Sequence, residues 1–124
     1  MNTSDIITVT VGEGSRYEIT ACAIPCGRDW SVTVCGGTLH HVGAVSASCP
    51  DEWNNTWDSV LLPTHRDDRV SRMFARRISE ALHCNAGAAA GIHIDNASAE
   101  EIALLVKNCE ECCSLLIEKI ISRG

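Results

Sequence analysis

Alternating apolar and polar residues predict a series of short strands in the first half of the chain. Ile7, Val9 and Val11 alternate with threonines, which is the period of a half-buried strand. The run Gly12-Glu13-Gly14-Ser15 that follows is typical of a hairpin turn. We therefore predict an antiparallel meander. Its strands are expected within residues 7–11, 17–23, 30–35, 42–49 and 60–62, with a loop at 50–55.

Beyond Pro63 the apolar residues recur at helical spacing. Thr64 and Asp67 have the spacing of a capping box, which predicts a helix with Thr64 as its N-cap. Ser98 and Glu101 have the same spacing before a second apolar stripe. The expected elements are helices near 64–83 and 98–122, with a strand of small residues at 88–94 between them.

This order of elements predicts an α+β domain, with two helices packed on one face of a mainly antiparallel five- to six-stranded sheet. The 124 residues fit a single domain, 1–124. Cys22 and Cys35 alternate with core residues, so they are expected on the opposite face of the sheet. That face and the second helix offer more half-apolar surface than a small domain covers, which predicts a homodimer.

Composition excludes some classes of protein. The net charge of −6 argues against a general nucleic-acid binder, and no apolar run is long enough to predict a membrane span. The first residues lack a signal-peptide pattern, so we expect a cytoplasmic protein whose eight cysteines stay mostly as thiols. Cys109 and Cys113 fall on an apolar helical stripe, so we interpret them as core residues and expect no metal to be needed for folding.

The histidines are the first candidates for binding chemistry. Gly37 and Gly43 flank His40 and His41, which are expected at the start of a strand. Glycine allows a close approach of backbone and ligand, and adjacent strand residues point to opposite faces, so one histidine would face a given pocket. His93 and Asp95 would share one face at the end of the small-residue strand. Surface histidines in polar turns are the alternative.

A phosphate site is the second candidate. Thr64, His65 and Arg66 are expected in the first turn of a helix, whose free N–H groups attract anions, and guanidinium matches phosphate geometry. Arg76 and Arg77 lie further along the same helix, where a solvated amphipathic face is the simpler interpretation.

Three segments together resemble one family. They are Gly36-Gly37-Thr38-Leu39-His40-His41-Val42-Gly43-Ala44-Val45, Leu62-Pro63-Thr64-His65-Arg66-Asp67-Asp68 and Ala90-Gly91-Ile92-His93-Ile94-Asp95-Asn96-Ala97. The chain is similar, over nearly its whole length, to the LpdD-like prenylated-flavin chaperones. Their fold looks like that of proteasome assembly chaperones, and they accompany UbiD-type decarboxylases.

The resemblance implies a non-catalytic carrier that binds prenylated FMN, or FMN, and supports its delivery to a UbiD-type decarboxylase, with the flavin prenyltransferase as a further partner. The nine residues singled out above would then contact the cofactor. They are Gly37, His40, His41, Gly43, Thr64, His65, Arg66, His93 and Asp95. Two alternatives remain open. One is a metal-dependent enzyme that uses His40 or His41 with His65, His93 and Asp95. The other is an assembly chaperone that binds protein without a cofactor.

Overall fold

The strand and helix periods of the sequence appear as six strands and two helices in a computed structural model, which describes residues 5–50, 57–63 and 66–123. The elements are β1 (Ile7–Val11), β2 (Ile19–Cys26), β3 (Asp29–Gly37), β4 (Ala44–Ser48), β5 (Trp57–Leu61), α1 (Asp68–Leu82), β6 (Ala86–His93) and α2 (Ala99–Arg123). Most of the loop expected at 50–55 lies outside the described residues, as do Thr64 and His65.

All of these strands belong to one sheet, in the order β1-β2-β3-β6-β4-β5. β3 and β6 are parallel, whereas the other neighbours are antiparallel. The predicted fold class is thus confirmed, but the continuous meander is wrong because β6 is inserted between β3 and β4. The small residues of β6 suit this central place, since it must pair on both edges and pack under a helix.

Both helices cover the same face of the sheet. Along β2, β3 and β6 alternate residues are buried in a single core that also includes Phe74 of α1 and Leu116 of α2. The other residues of these strands form the opposite face, with Cys22 and Cys35 partly buried there as predicted. Neither of the two described helices covers this side of the sheet, which we call the open face.

The two predicted capping boxes have different outcomes. Ser98 and Glu101 form theirs: the Glu101 backbone N–H donates to Ser98 Oγ and the Ser98 N–H donates to Glu101 Oε1, each at 3.1 Å. The Ser98 N–H holds the pKa of the Glu101 carboxyl below its usual range. The box proposed at Thr64 is wrong, because the N-cap of α1 is Asp67, whose side chain makes no capping hydrogen bond. Its carboxylate has other partners, described below.

Two side-chain predictions for the helices also differ in outcome. Cys109 and Cys113 are buried as predicted, and desolvation raises the pKa of each thiol to about 12. Arg77, in contrast, does not lie on a simply solvated face. Its guanidinium donates to Glu110 O at 3.2 Å and to Ser114 Oγ at 2.8 Å, so it connects α1 to α2.

Candidate functional site

The three sequence segments singled out above meet at one end of the sheet. Because β3 and β6 are parallel, their carboxyl ends lie together, and β4, antiparallel to β6, begins at that end. β5 ends there because it runs antiparallel to β4. The segments that follow β3, β5 and β6 are therefore neighbours in space although they are far apart in sequence.

Backbone hydrogen bonds join these segments directly. The N–H groups of Thr38 and Leu39 donate to His93 O at 2.8 and 3.4 Å. The Gly43 N–H donates to Ala90 O, and the Leu62 N–H donates to Gly43 O, both at 2.8 Å. The segment 38–43 is thus attached to the end of β6 on one side and to the end of β5 on the other.

Asp67 is the centre of this arrangement. It is 8% exposed; its Oδ1 accepts the backbone N–H of Ile92 at 3.0 Å, and its Oδ2 lies 2.9 Å from His41 Nε2. His41 Nδ1 lies 3.4 Å from Leu39 O. One carboxylate therefore holds together the start of α1, the end of β6 and the histidine segment, which explains why it does not cap its own helix.

Three glycines allow the segments to approach this closely. A Cβ at Gly43 would collide with the Asp67 carboxylate, and a Cβ at Gly91 would collide with His41 O. Gly37 has a φ of +74°, and a Cβ there would collide with His93 O. The space beside these glycines is filled by neighbouring protein atoms, so their first role is to seat the segment 37–43 on β6.

A second histidine–carboxylate pair lies at the rim. His93 Nε2 is 2.7 Å from Asp95 Oδ1, and the two side chains are 45% and 88% exposed. The rings of His41 and His93 are 6.5 Å apart between centroids and nearly perpendicular. The site thus has one mostly buried imidazole that is fixed by Asp67 and one exposed imidazole that can exchange its partner for a ligand.

The structure changes the surroundings of several predicted site residues. β4 begins at Ala44, so His40 and His41 precede the strand and the prediction that they start it is wrong. His40 is exposed, whereas the His41 side chain is mostly buried. Arg66 is exposed and precedes α1, so it is not in the first helical turn as predicted. The contacts of these residues with a ligand remain predictions.

Asp67 is not among the site residues predicted from the sequence, because its spacing from Thr64 favours a role in a capping box. One signal was available: the sequence places it in the second of the three segments that resemble the chaperone family. A carboxylate next to Arg66 and before an apolar helical stripe is, however, equally typical of an ordinary helix start.

Two other kinds of protein, a metal-dependent enzyme and a protein with a membrane-spanning helix, can be compared with the described residues. Within 5–50, 57–63 and 66–123, no three His, Cys, Asp or Glu side chains are grouped so that they could hold a metal ion. His65, one of the ligands considered for a metal centre, lies outside these ranges. Nor is any helix in them long and apolar enough to cross a membrane.

Comparison with known proteins identifies the family. The family model for the prenylated flavin chaperone LpdD-like domain matches residues 13–121, which includes all three segments around Asp67. The chain belongs to this family. The predicted resemblance is thus confirmed, and a chaperone role follows at the level of the family.

A solved structure supports the fold of this LpdD-like chain. One chain in a crystal structure of a chaperone complex for yeast 20S proteasome assembly matches it with a TM-score of 0.61 and 17% sequence identity. The match covers 93% of this chain and 98% of the yeast chain. At this identity the likeness concerns the fold alone. No curated protein matches the sequence significantly.

Proposed function

We propose that this chain is a single-domain, non-catalytic carrier that binds prenylated FMN at the end of the sheet around Asp67 and delivers it to a UbiD-type decarboxylase. The observation that carries the proposal is the convergence of the three family-like segments on one buried carboxylate. Membership of a family described as prenylated flavin chaperones gives the ligand class.

The residues at this end of the sheet suit the parts of such a ligand. Arg66 is exposed directly before Asp67, where its guanidinium can pair with a phosphate. His40 and His93 are exposed and can hydrogen-bond flavin carbonyls and ring nitrogens. Leu39 and Val42, on the same segment as His40, are also exposed and can cover an apolar prenyl-derived ring. The flavin would be cargo on this chain and would supply the decarboxylation chemistry in the recipient enzyme.

Four of the eight thiols are buried and are poor candidates for a catalytic nucleophile, which supports a carrier. Desolvation raises the pKa of Cys84 and Cys112 to about 11 and that of Cys109 and Cys113 to about 12. These groups therefore stay protonated at neutral pH, whereas a nucleophilic cysteine needs its thiolate.

We propose a cytoplasmic location, where the flavin prenyltransferase would supply the ligand.

We also propose a homodimer formed through the open face. On this face, residues that pair across neighbouring strands form one row over all six strands, and the row contains no charged residue. The row consists of Thr8, Cys22, Thr33, Ala89, Val45 and Val60. Val45 and Val60 are exposed in the single chain. A flat surface of small and β-branched residues can pack closely against a second copy of itself.

The dimer is tested by placing a charge at the centre of this row. Thr33→Arg should give a monomer in analytical ultracentrifugation, because an unpaired guanidinium cannot be buried in an apolar interface. Ala103→Arg adds the same charge to an exposed position of α2 and should leave the dimer intact. A monomeric wild type, or dissociation caused by Ala103→Arg alone, would contradict the open-face dimer.

Ligand binding is tested with purified wild-type protein. Titration with prenylated FMN and with FMN, each oxidised and reduced, should show a stoichiometric complex with at least the prenylated form. Purification from cells that make prenylated FMN should give visible absorbance. If the protein binds none of these flavins, the carrier function is wrong.

A matched pair of variants locates the phosphate. Arg66→Ala should weaken binding of the phosphorylated flavin by roughly 10- to 150-fold, the value of a charge-assisted contact of about 1.5–3 kcal/mol. Arg69→Ala removes the same charge three residues away and should change the affinity little. Arg77 is not a suitable control, because it connects α1 to α2. Equal losses for Arg66→Ala and Arg69→Ala would indicate long-range attraction without a phosphate site.

The second candidate function is an assembly chaperone that binds protein without a cofactor. The observation in its favour is the fold shared with a chain of a proteasome assembly chaperone complex. It predicts decarboxylase activation without any flavin on the carrier. Activation of an apo-decarboxylase by flavin-free protein in a reaction that contains free prenylated FMN, with no carrier–flavin complex detectable, would favour it.

A further inference from the structure

The surface of α1 carries a basic groove that is not part of the candidate site. The groove has a volume of about 350 Å³. Its walls are mainly guanidinium groups, and the side chain of Met73 adds an apolar surface. The lining residues are Asp68, Arg69, Arg72, Met73, Arg76, Arg77 and Glu80. We call this feature the α1 groove.

The charge of the α1 groove is opposite to that of the rest of the chain. α1 contains four arginines and two acidic residues, a net charge of +2, while the whole chain has −6 and the remainder therefore −8. The two carboxylates form i,i+4 pairs, Asp68 with Arg72 at 3.1 Å and Glu80 with Arg76 at 3.8 Å. These pairs are partly exposed and contribute little stability.

The α1 groove also starts beside the proposed flavin site. Asp67, which holds His41 and the end of β6, immediately precedes the first residue of α1. Arg69 is exposed in the first helical turn. A protein that receives the ligand from this end of the sheet must come close to the surface that begins there.

We infer that the α1 groove is the docking surface for an acidic face of the recipient decarboxylase; this rests on the proposed carrier function. Arg69 and Arg76 are seven residues apart on the helix, which corresponds to about 10 Å along its axis. The partner is therefore expected to present two or more carboxylates over about this length. The strongly acidic remainder of the chain repels a polyanion such as nucleic acid, which favours a protein with only a local acidic patch.

The experiment measures association of the flavin-loaded carrier with an immobilised apo-UbiD-type decarboxylase. Arg69→Glu should slow association by about tenfold at low salt, because it reverses the charge that attracts the partner. The first turn of a helix accepts an acidic residue, so this variant should fold. Arg28→Glu makes the same charge change in the turn between β2 and β3, at the other end of the sheet, and should change the rate less than about twofold. The wild-type rate should fall as salt is raised.

Flavin titration of the same variants separates this inference from the proposed function. If Arg69→Glu binds flavin normally but associates slowly with the decarboxylase, the docking surface is supported. If Arg69→Glu and Arg28→Glu change the rate of association with the decarboxylase equally, the inference is wrong while the carrier function stands. The same holds if the wild-type association rate is independent of salt. Weakened flavin binding by Arg69→Glu would assign the groove to the ligand, and binding of a short duplex DNA by the wild type would assign it to nucleic acid. If the wild type binds no flavin, the proposed function fails.

Discussion

Replacement of Asp67 by alanine should be among the most damaging single changes in the described part of the chain. The variant leaves the part-buried Ile92 N–H without its acceptor and removes the carboxylate next to His41 Nε2. A buried donor without a partner costs about 1–3 kcal/mol, and a hydrogen bond to a charged group contributes about 1.5–3 kcal/mol. We therefore expect the free energy of unfolding to fall by about 3–5 kcal/mol.

Two further variants make this prediction specific. Asp67→Asn keeps an amide oxygen for the Ile92 N–H and should lose less than half as much stability as Asp67→Ala. Asp68→Ala removes a neighbouring carboxylate whose hydrogen-bonded ion pair, with Arg72, is partly exposed, and it should cost about 1 kcal/mol or less.

The assay is urea unfolding, combined with hydrogen exchange at the backbone N–H groups of Thr38 and Leu39, which donate to His93 O. Asp67→Ala should accelerate exchange at both, because the segment 38–43 loses one of its attachments to the end of β6. If Asp67→Ala costs no more than Asp68→Ala, Asp67 does not hold the site together.

Three other predictions follow from the packing. Gly91→Ala should destabilise the protein and abolish flavin binding, since its Cβ would collide with His41 O; wild-type stability on urea unfolding would contradict this. Burial raises the pKa of Cys109 to about 12 from its ordinary 9.0, so the unfolded thiol ionises first and stability should fall as pH rises from 9 towards 12. Cys109→Ala should make that fall shallower, and an unchanged slope would contradict the assignment. Ser98→Ala should cost about 1 kcal/mol through loss of the α2 cap, whereas an unchanged urea midpoint would contradict the capping role.

Local structure was predictable from the sequence wherever the apolar residues of a segment followed a single period, of a strand or of a helix. The alternation around Ile7 and the stripe through Leu116 gave the strand and the helix as they are observed. The Ser98 capping box was predictable because its two partners are three residues apart, and Glu101 uses only Oε1 for the cap while Oε2 contacts Tyr17 and Arg16. The insertion of β6 between β3 and β4 was not, because strand order depends on long-range pairing that periodicity does not report.

The candidate site also depends on long-range contacts that a local sequence pattern does not report. The sequence places the candidate binding residues in three segments, and the structure brings the described parts of these segments together. The residue that joins them is not evident from the sequence. Asp67 satisfies a local capping pattern equally well, and only the position of the Ile92 N–H and of His41 in space shows where its carboxylate goes. The same local capping pattern predicts a helix start at Thr64, whereas α1 begins at Asp68.

The insertion of β6 also determines when the site can exist during folding. The contacts that build it join residues 26 positions apart, His41 and Asp67, and 55 positions apart, Thr38 and His93. Closing such long loops is slow, and the contacts of Thr38 with His93 and of Asp67 with Ile92 cannot form before β6 is in place. A ligand held there binds only the completed sheet, so it stabilises the whole fold by mass action. Ligand binding at this end of the sheet would therefore protect β6, in the middle of the sheet, from proteolysis as well as the loops at its end.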